Sequence, residues 1–140
     1  MTSQTKIKPK LKPLLAALRD LDETQLRQAI VDILSPTCDV RMCHPFGDLT
    51  TDSLYDTCFK PLQIAFPDVE RRDAIIVRGT TPEGSDWVGC CGSYVGTFVA
   101  PFLEIPPTGH LAHMRFHEFY KISNGQVVEV QAIWDIPELM

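Results

Sequence analysis

The chain predicts an α+β fold, with helices in its first half covering one face of a curved antiparallel sheet built from its second half. Three observations carry this. Apolar residues recur at helical spacing from Leu14 to Leu21, prolines then cut the following stretch into short helical pieces, and beyond Arg71 the pattern changes to the alternation of strands. At 140 residues the length matches one compact domain that buries about two-thirds of its unfolded surface. Repeats and low-complexity segments are absent.

Residues 1–12 are polar and are expected to be a flexible lead into a single domain over 13–140. Leu14, Leu15, Leu18 and Leu21 mark the buried stripe of a first helix. Asp22, followed three positions later by Gln25, resembles a capping box and starts a second helix running to about Leu34, where Pro36 ends it. A short segment at 40–42 leads into the turn-rich His44-Pro45-Phe46-Gly47. Thr51 or Asp52 is then placed to cap a third helix, carrying Leu54, Tyr55, Cys58 and Phe59 on one side as far as Pro61.

In the second half, Ala74-Ile75-Ile76-Val77 is a β-prone run, and TPEG marks a turn before a strand over 87–99. Gly89, Gly92 and Gly96 interrupt that strand without forming a nucleotide-binding fingerprint; they suit sheet bending or a close backbone approach. Segments 111–122 and 126–136 form the clearest pair. They are joined at Ser123-Asn124-Gly125, where Asn-Gly favours a tight hairpin turn.

Thirteen basic and eighteen acidic side chains give a net charge of −5, and Lys6, Lys8, Lys10 and Lys12 are the one basic cluster. A nucleic-acid partner is therefore not expected, because nothing else offers a track for phosphates. No apolar stretch approaches the roughly 20 residues that cross a bilayer. Residues 1–12 lack the apolar core of a secretion signal, so the expected location is the cytoplasm, with no membrane partner. Five cysteines without a spacing framework fit reduced, mostly buried thiols.

Alternation divides the last hairpin into two surfaces. In the first strand Leu111, His113, Arg115, His117, Phe119 and Lys121 face one way, and Ala112, Met114, Phe116, Glu118, Tyr120 and Ile122 the other. The second set is the better core face, which makes Glu118 conspicuous: a carboxylate there must find a donor, stay partly wet or rise in pKa. On the following strand Val128, Val130, Ala132 and Trp134 continue the apolar face, opposite Glu129, Gln131 and Asp135. The polar face, with Leu111, Phe119 and Ile133 among its charges, is suited to pack against a partner subunit.

Each candidate carries a plain and a functional reading. His113, Arg115 and His117 read as a solvated or dimer surface; alternatively His117 serves in acid/base work with Arg115 orienting an anion or enolate. Glu118 is a base in an apolar cavity or accepts a structural hydrogen bond from Tyr120, Tyr94 or the backbone. His44 is a catalytic donor or a loop-packing residue, and Trp134 a pocket wall or a core aromatic. His113 and His117 lie roughly 13 Å apart along a strand, too far to share a metal directly, so a metal site would need His44 and a further ligand. No cofactor is expected. Cys90-Cys91 is not a redox pair, and Ser93, His117 and Asp135 form no supported nucleophilic set.

Residues 43–140 resemble the SnoaL-like polyketide cyclase and ester-cyclase branch of the nuclear transport factor 2-like superfamily. The resemblance rests on the His44-Pro45 loop, PLQIAFPD, GSYVGTF with its tail FLEIPPTGH, and HEFYKISNGQVVEVQAIWD. It implies a cone-shaped domain enclosing an apolar cavity, commonly a homodimer, and places Trp87, Tyr94, Phe98, Met114, Phe116, Glu118 and Trp134 as cavity or core groups. It further implies cofactor-free chemistry on a small molecule by an Asp/His acid–base arrangement. The chain departs from the family where a Trp-Asp pair is usual in the last strand: Gln131 and Ala132 stand near those positions, and alanine cannot exchange a proton. Longer relatives are expected to continue past DIPELM.

The leading expectation is a homodimer that performs proton-transfer chemistry on a small, mostly apolar, oxygenated molecule. Glu118 would be the base, made more basic by desolvation, and His44 or Tyr94 would donate to the developing oxyanion. The alternative is a noncatalytic ligand-binding or dimeric structural module.

Overall fold

A computed structural model of the chain describes the backbone of residues 2–140 and side chains from residue 11 onward. The expected flexible segment at 1–12 lies almost wholly outside the residues whose side chains are described. Helix α1 (Thr2–Asp20) buries Leu11, Leu14, Ala17 and Leu18. It ends where Leu21 turns left-handed at φ 51°. Asp22 caps α2 (Glu23–Ile33) as predicted, accepting a 3.0 Å bond from the Gln25 amide; α2 buries Leu26, Ala29 and Ile30.

Strand β1 (Leu34–Met42) starts earlier than expected. Leu34 already takes extended backbone, and Pro36 sits in a strand rather than just after a helix. The ladder from β1 is interrupted between Leu34 and Asp39, which is where a residue without an N–H is tolerated. The third helix also differs. A π-turn (Tyr55–Phe59) runs into α3 (Lys60–Ala65), and Pro61 lies in the first turn of α3 instead of ending the helix. The wide turn, closed by the Lys60 amide on the Tyr55 carbonyl, puts Pro61 where a missing donor costs no helical bond. Neither Thr51 nor Asp52 caps this segment; the Thr51 hydroxyl donates instead to the Ser35 carbonyl at 2.6 Å.

The remaining strands are β2 (Asp48–Leu49), β3 (Glu70–Thr80), β4 (Asp86–Thr97), β5 (Leu111–Ser123) and β6 (Gln126–Trp134), followed by a 3₁₀ turn (Ile136–Leu139). They form one sheet in the order β2-β1-β6-β5-β4-β3. Neighbours are antiparallel except β1 and β6, which run parallel. The β5–β6 turn has Asn124 and Gly125 at φ 52° and 79°, the pair of left-handed residues that Asn-Gly predicts. A register shift after Lys121 makes Val127 the fully buried residue there and leaves Val128, expected inside, half-buried.

Gly92 shows why one strand glycine is needed. A Cβ there would stand 1.9 Å from the Arg72 carbonyl oxygen, beside the β3–β4 bulge between Asp73 and Ile75. Face assignment along β5 follows the predicted alternation: Met114, Phe116, Glu118 and Tyr120 are buried, while Leu111, His113, Arg115, His117 and Phe119 are exposed. The helices lie over the inner face, giving the expected α+β cone. Among the described residues no helix is long and apolar enough to cross a membrane.

Candidate active site

Glu118 sits mid-way along β5 on the inner face, with 2% of its surface exposed. In register it lies between Cys90 of β4 and Ala132 of β6. The small Ala132 side chain lets the carboxylate reach Trp134 on the same strand, whose indole Nε1 donates to Oε2 at 2.9 Å. Three more donors converge. Tyr94 donates to Oε2 at 2.8 Å, Tyr120 to Oε1 at 2.5 Å, and Arg71 Nη1 to Oε1 at 2.8 Å. Each oxygen therefore accepts two hydrogen bonds, a full complement for a buried carboxylate.

Arg71 enters from edge strand β3 with a side chain that is wholly buried. Its guanidinium lies 4.1 Å from the Phe116 ring centroid and bonds Asp73 Oδ1 through Nε at 3.2 Å. Aromatic groups wall the cluster: Tyr94 packs at 4.8 Å on Phe116 and 5.2 Å on Trp134, and Trp134 meets Phe46 and Phe59 edge-on at 5.6 and 5.5 Å.

These surroundings decide the charge on Glu118. Burial pushes its pKa up, but the Arg71 charge, with hydrogen bonds from Tyr120, Arg71 and Trp134, outweighs burial and holds it below the usual 4.5. The rise expected from desolvation is thus reversed, and Glu118 is an ionised acceptor at neutral pH. Burial, with the neighbouring carboxylate, pushes Tyr94 and Tyr120 well above 10, so both phenols stay protonated. All five cysteines are free, and burial lifts Cys38 and Cys90 to about 12, outside the reactive range.

Next to Glu118 the cone holds a cavity of about 20 Å³, room for about one water. Leu14 and Leu18 of α1, Leu54 and Phe59 close it from the helical side, and Glu118, Tyr120 and Trp134 supply its polar wall.

Of the predicted site residues, the fold brings together Glu118, Tyr94, Trp134 and Phe116. Met114 is buried one pair along, opposite Tyr94, and Phe98 stacks on Phe66 at 4.8 Å. Four others stand apart. His117 and Arg115 are exposed on the outer face, where Arg115 pairs with Glu138 at 3.2 Å and Asp135 at 3.7 Å. Trp87, expected to line the cavity, lies instead in an open outer groove with Val77 and Phe119. It is an odd number of residues from Tyr94 in one strand, and so points the other way. His44 is exposed in its loop. Among the described residues no group of three or more His, Cys, Asp or Glu is arranged to hold a metal ion.

Sequence reasoning missed Arg71 and Asp73. A buried arginine resembles a surface one in sequence, and its partner is three strands' worth of chain away. The available signal was parity: Arg71 and Asp73 share one face at the start of the strand, just before its apolar run at 74–77.

Helices over one face of a six-stranded sheet, with a polar cluster at its centre, make the domain a cone of the α+β class. Within that class, the chain belongs to the SnoaL-like polyketide cyclase family, whose model matches residues 13–140. It shares the fold of AclR from Streptomyces galilaeus, described as a putative hydroxylase, at TM-score 0.75 and 18% identity over 96% of this chain and 82% of that one. IdmH from Streptomyces antibioticus, described as a putative polyketide cyclase, is similar at TM-score 0.74 and 20% identity over 94% of each chain. TsrD from Streptomyces laurentii gives 0.72 and 16% over 96% and 92%. Among curated proteins no sequence matches.

Proposed function

We propose that the protein is a small-molecule enzyme of the SnoaL-like type, performing cofactor-free acid/base chemistry (cyclisation, isomerisation or hydrolysis) on an apolar oxygenated substrate in the cone. The supporting observation is Glu118, an ionised carboxylate bordering an apolar cavity and ringed by hydroxyl donors. The reaction begins when Glu118 takes a proton from carbon next to a carbonyl. By that point Tyr120, which lines the cavity, or Tyr94 has shifted its hydrogen bond from the carboxylate to the substrate carbonyl, the oxygen that becomes the enolate. Losing a donor as the substrate binds raises the basicity of Glu118 at the moment it is needed. The cavity holds about one water, so substrate entry requires the side chains of α1 and the π-turn to move.

The test is hydrogen–deuterium exchange at the α-carbon of a panel of enolisable ketones, followed by proton NMR. Wild type is expected to accelerate exchange, and Glu118→Gln to lose about 100-fold or more of that acceleration. The Arg71→Met/Glu118→Gln double variant serves if the single variant is unfolded. Equal exchange by wild type and variant removes Glu118 as the base, and no acceleration by either leaves a noncatalytic binding or structural module.

The assembly we propose is a homodimer through the outer sheet face. Leu111 and Ile133 are 64% and 62% exposed there, and Phe119 is 42% exposed, which is apolar area that a second copy would cover. Sedimentation should give a dimer for wild type and a monomer for Ile133→Glu; a monomeric wild type would rule the dimer out.

A further inference from the structure

Among the described residues, Arg71 is the one cation facing Glu118. Asp73 stands beside it on β3, Tyr94 and Cys90 approach from β4, Tyr120 from β5, Trp134 from β6 and Cys58 from the π-turn. The tyrosines, the cysteines and Trp134 bring no charge, and the Asp73 carboxyl is held by Arg71 Nε at 3.2 Å. A single nitrogen makes two of the key contacts: Nη1 donates to Glu118 Oε1 at 2.8 Å and to the Tyr94 hydroxyl at 2.7 Å, while that hydroxyl donates to Oε2 at 2.8 Å. The resulting triangle ties both carboxylate oxygens to Nη1, Oε1 directly and Oε2 through the Tyr94 hydroxyl.

The rest of the guanidinium is poorly served. Arg71 Nη2 and Asp73 Oδ2 are buried without a partner, a state that is costly for any polar group and more so for charged ones. Packing alone gives no reason to place an arginine here, since an apolar side chain would fill the space without orphaned atoms. What the arginine supplies is its charge and its Nη1 geometry.

We propose that Arg71 is the positioning residue of this site: through Nη1 it holds Glu118 ionised and aimed at its donors, so that without the guanidinium the carboxylate becomes neutral and loses its role as acceptor. The functional meaning rests on the base role given to Glu118 above, but the test needs no substrate. The ionisation of Glu118 is read by carbon-13 NMR of labelled glutamate carboxyls, with Glu118→Gln identifying the signal. In wild type the signal should remain that of a carboxylate from pH 8 to pH 5. In Arg71→Met the carboxylate signal should be replaced by that of the neutral acid by pH 5, as for other buried carboxylates lacking a counter-charge. Arg71→Lys should keep it ionised.

A Glu118 that stays ionised at pH 5 in Arg71→Met, or that is neutral at pH 7 in Arg71→Lys, overturns the proposal. If Arg71→Met is unfolded, the Arg71→Met/Glu118→Gln double variant decides. Recovery of folding shows that the lost counter-charge was the fault, and a double variant as unfolded as the single one shows that Arg71 acts through packing and overturns the proposal. Failure of the base role would appear separately, as ketone exchange unaffected by Glu118→Gln with the ionisation result intact.

Discussion

Trp134→Ala is expected to lower unfolding stability by about 4 kcal/mol, the middle of the range for removing a large buried aromatic. The indole is 2% exposed and joins three aromatic contacts, with Phe46, Phe59 and Tyr94. Its backbone is also held, with the Trp134 amide 3.3 Å from the Cys43 sulfur. Trp134→Phe separates the two contributions of the side chain. It preserves most of the ring packing but removes the Nε1 donor, leaving Oε2 with Tyr94 alone, and should cost about 2 kcal/mol, as for a hydrogen bond to a charged group. Urea unfolding monitored by circular dichroism gives both numbers. A Phe variant as stable as wild type would mean that the indole bond to Glu118 contributes nothing.

Glu118→Gln should be comparably damaging at neutral pH, by about 3–5 kcal/mol, because it breaks a buried ion pair and leaves the Arg71 charge with Asp73 as its remaining partner. The pH dependence carries a definite sign. The folded pKa of Glu118 is depressed below 4.5, so its contribution is complete above the unfolded value near 4.5 and is lost as pH falls through the folded one. The stability gap between wild type and variant should therefore be flat from pH 7 to pH 5 and close in stronger acid. A gap that widens on acidification would contradict an ionised Glu118. Arg71 stays charged throughout, since Glu118 raises its pKa against the opposing effect of burial.

Much of this was legible before any coordinates. Period-two alternation placed Glu118 inside and His113, Arg115 and His117 outside, and the Asn124-Gly125 turn and Asp22 cap appear as written in the sequence. Such features are local: they need only the chain's own periodicity and the chemistry of a few adjacent residues. The parallel β1–β6 pairing, the π-turn that absorbs Pro61 and the bulge that exchanges Val127 for Val128 depend on what the other strands and helices do, and no short window contains them. The charge state of Glu118 was misjudged for the same reason. Desolvation follows from apolar neighbours along the strand, whereas the opposing charge arrives from Arg71, two strands across the sheet. Trp87 is placed in the cavity by the family resemblance, whereas alternation from Tyr94 puts it on the outer face; His44 is read from its loop alone, which does not say which way the loop faces.

The position of β6 bears on how the molecule assembles. Strand β6 is synthesised after the other five yet is third in the sheet, between β1 and β5, and Val40 must wait for Val130 before its side of the sheet can close. Until then the nascent chain holds two incomplete halves, β1 with β2 and β3 through β5, each with an open hydrogen-bonding edge. Trp134, the fourth donor to Glu118, arrives in that same strand. Backbone closure and completion of the polar cluster thus become one late step, and such long-range pairing is intrinsically slow. A ribosome-bound chain arrested before β6 should have neither a continuous sheet nor a finished site.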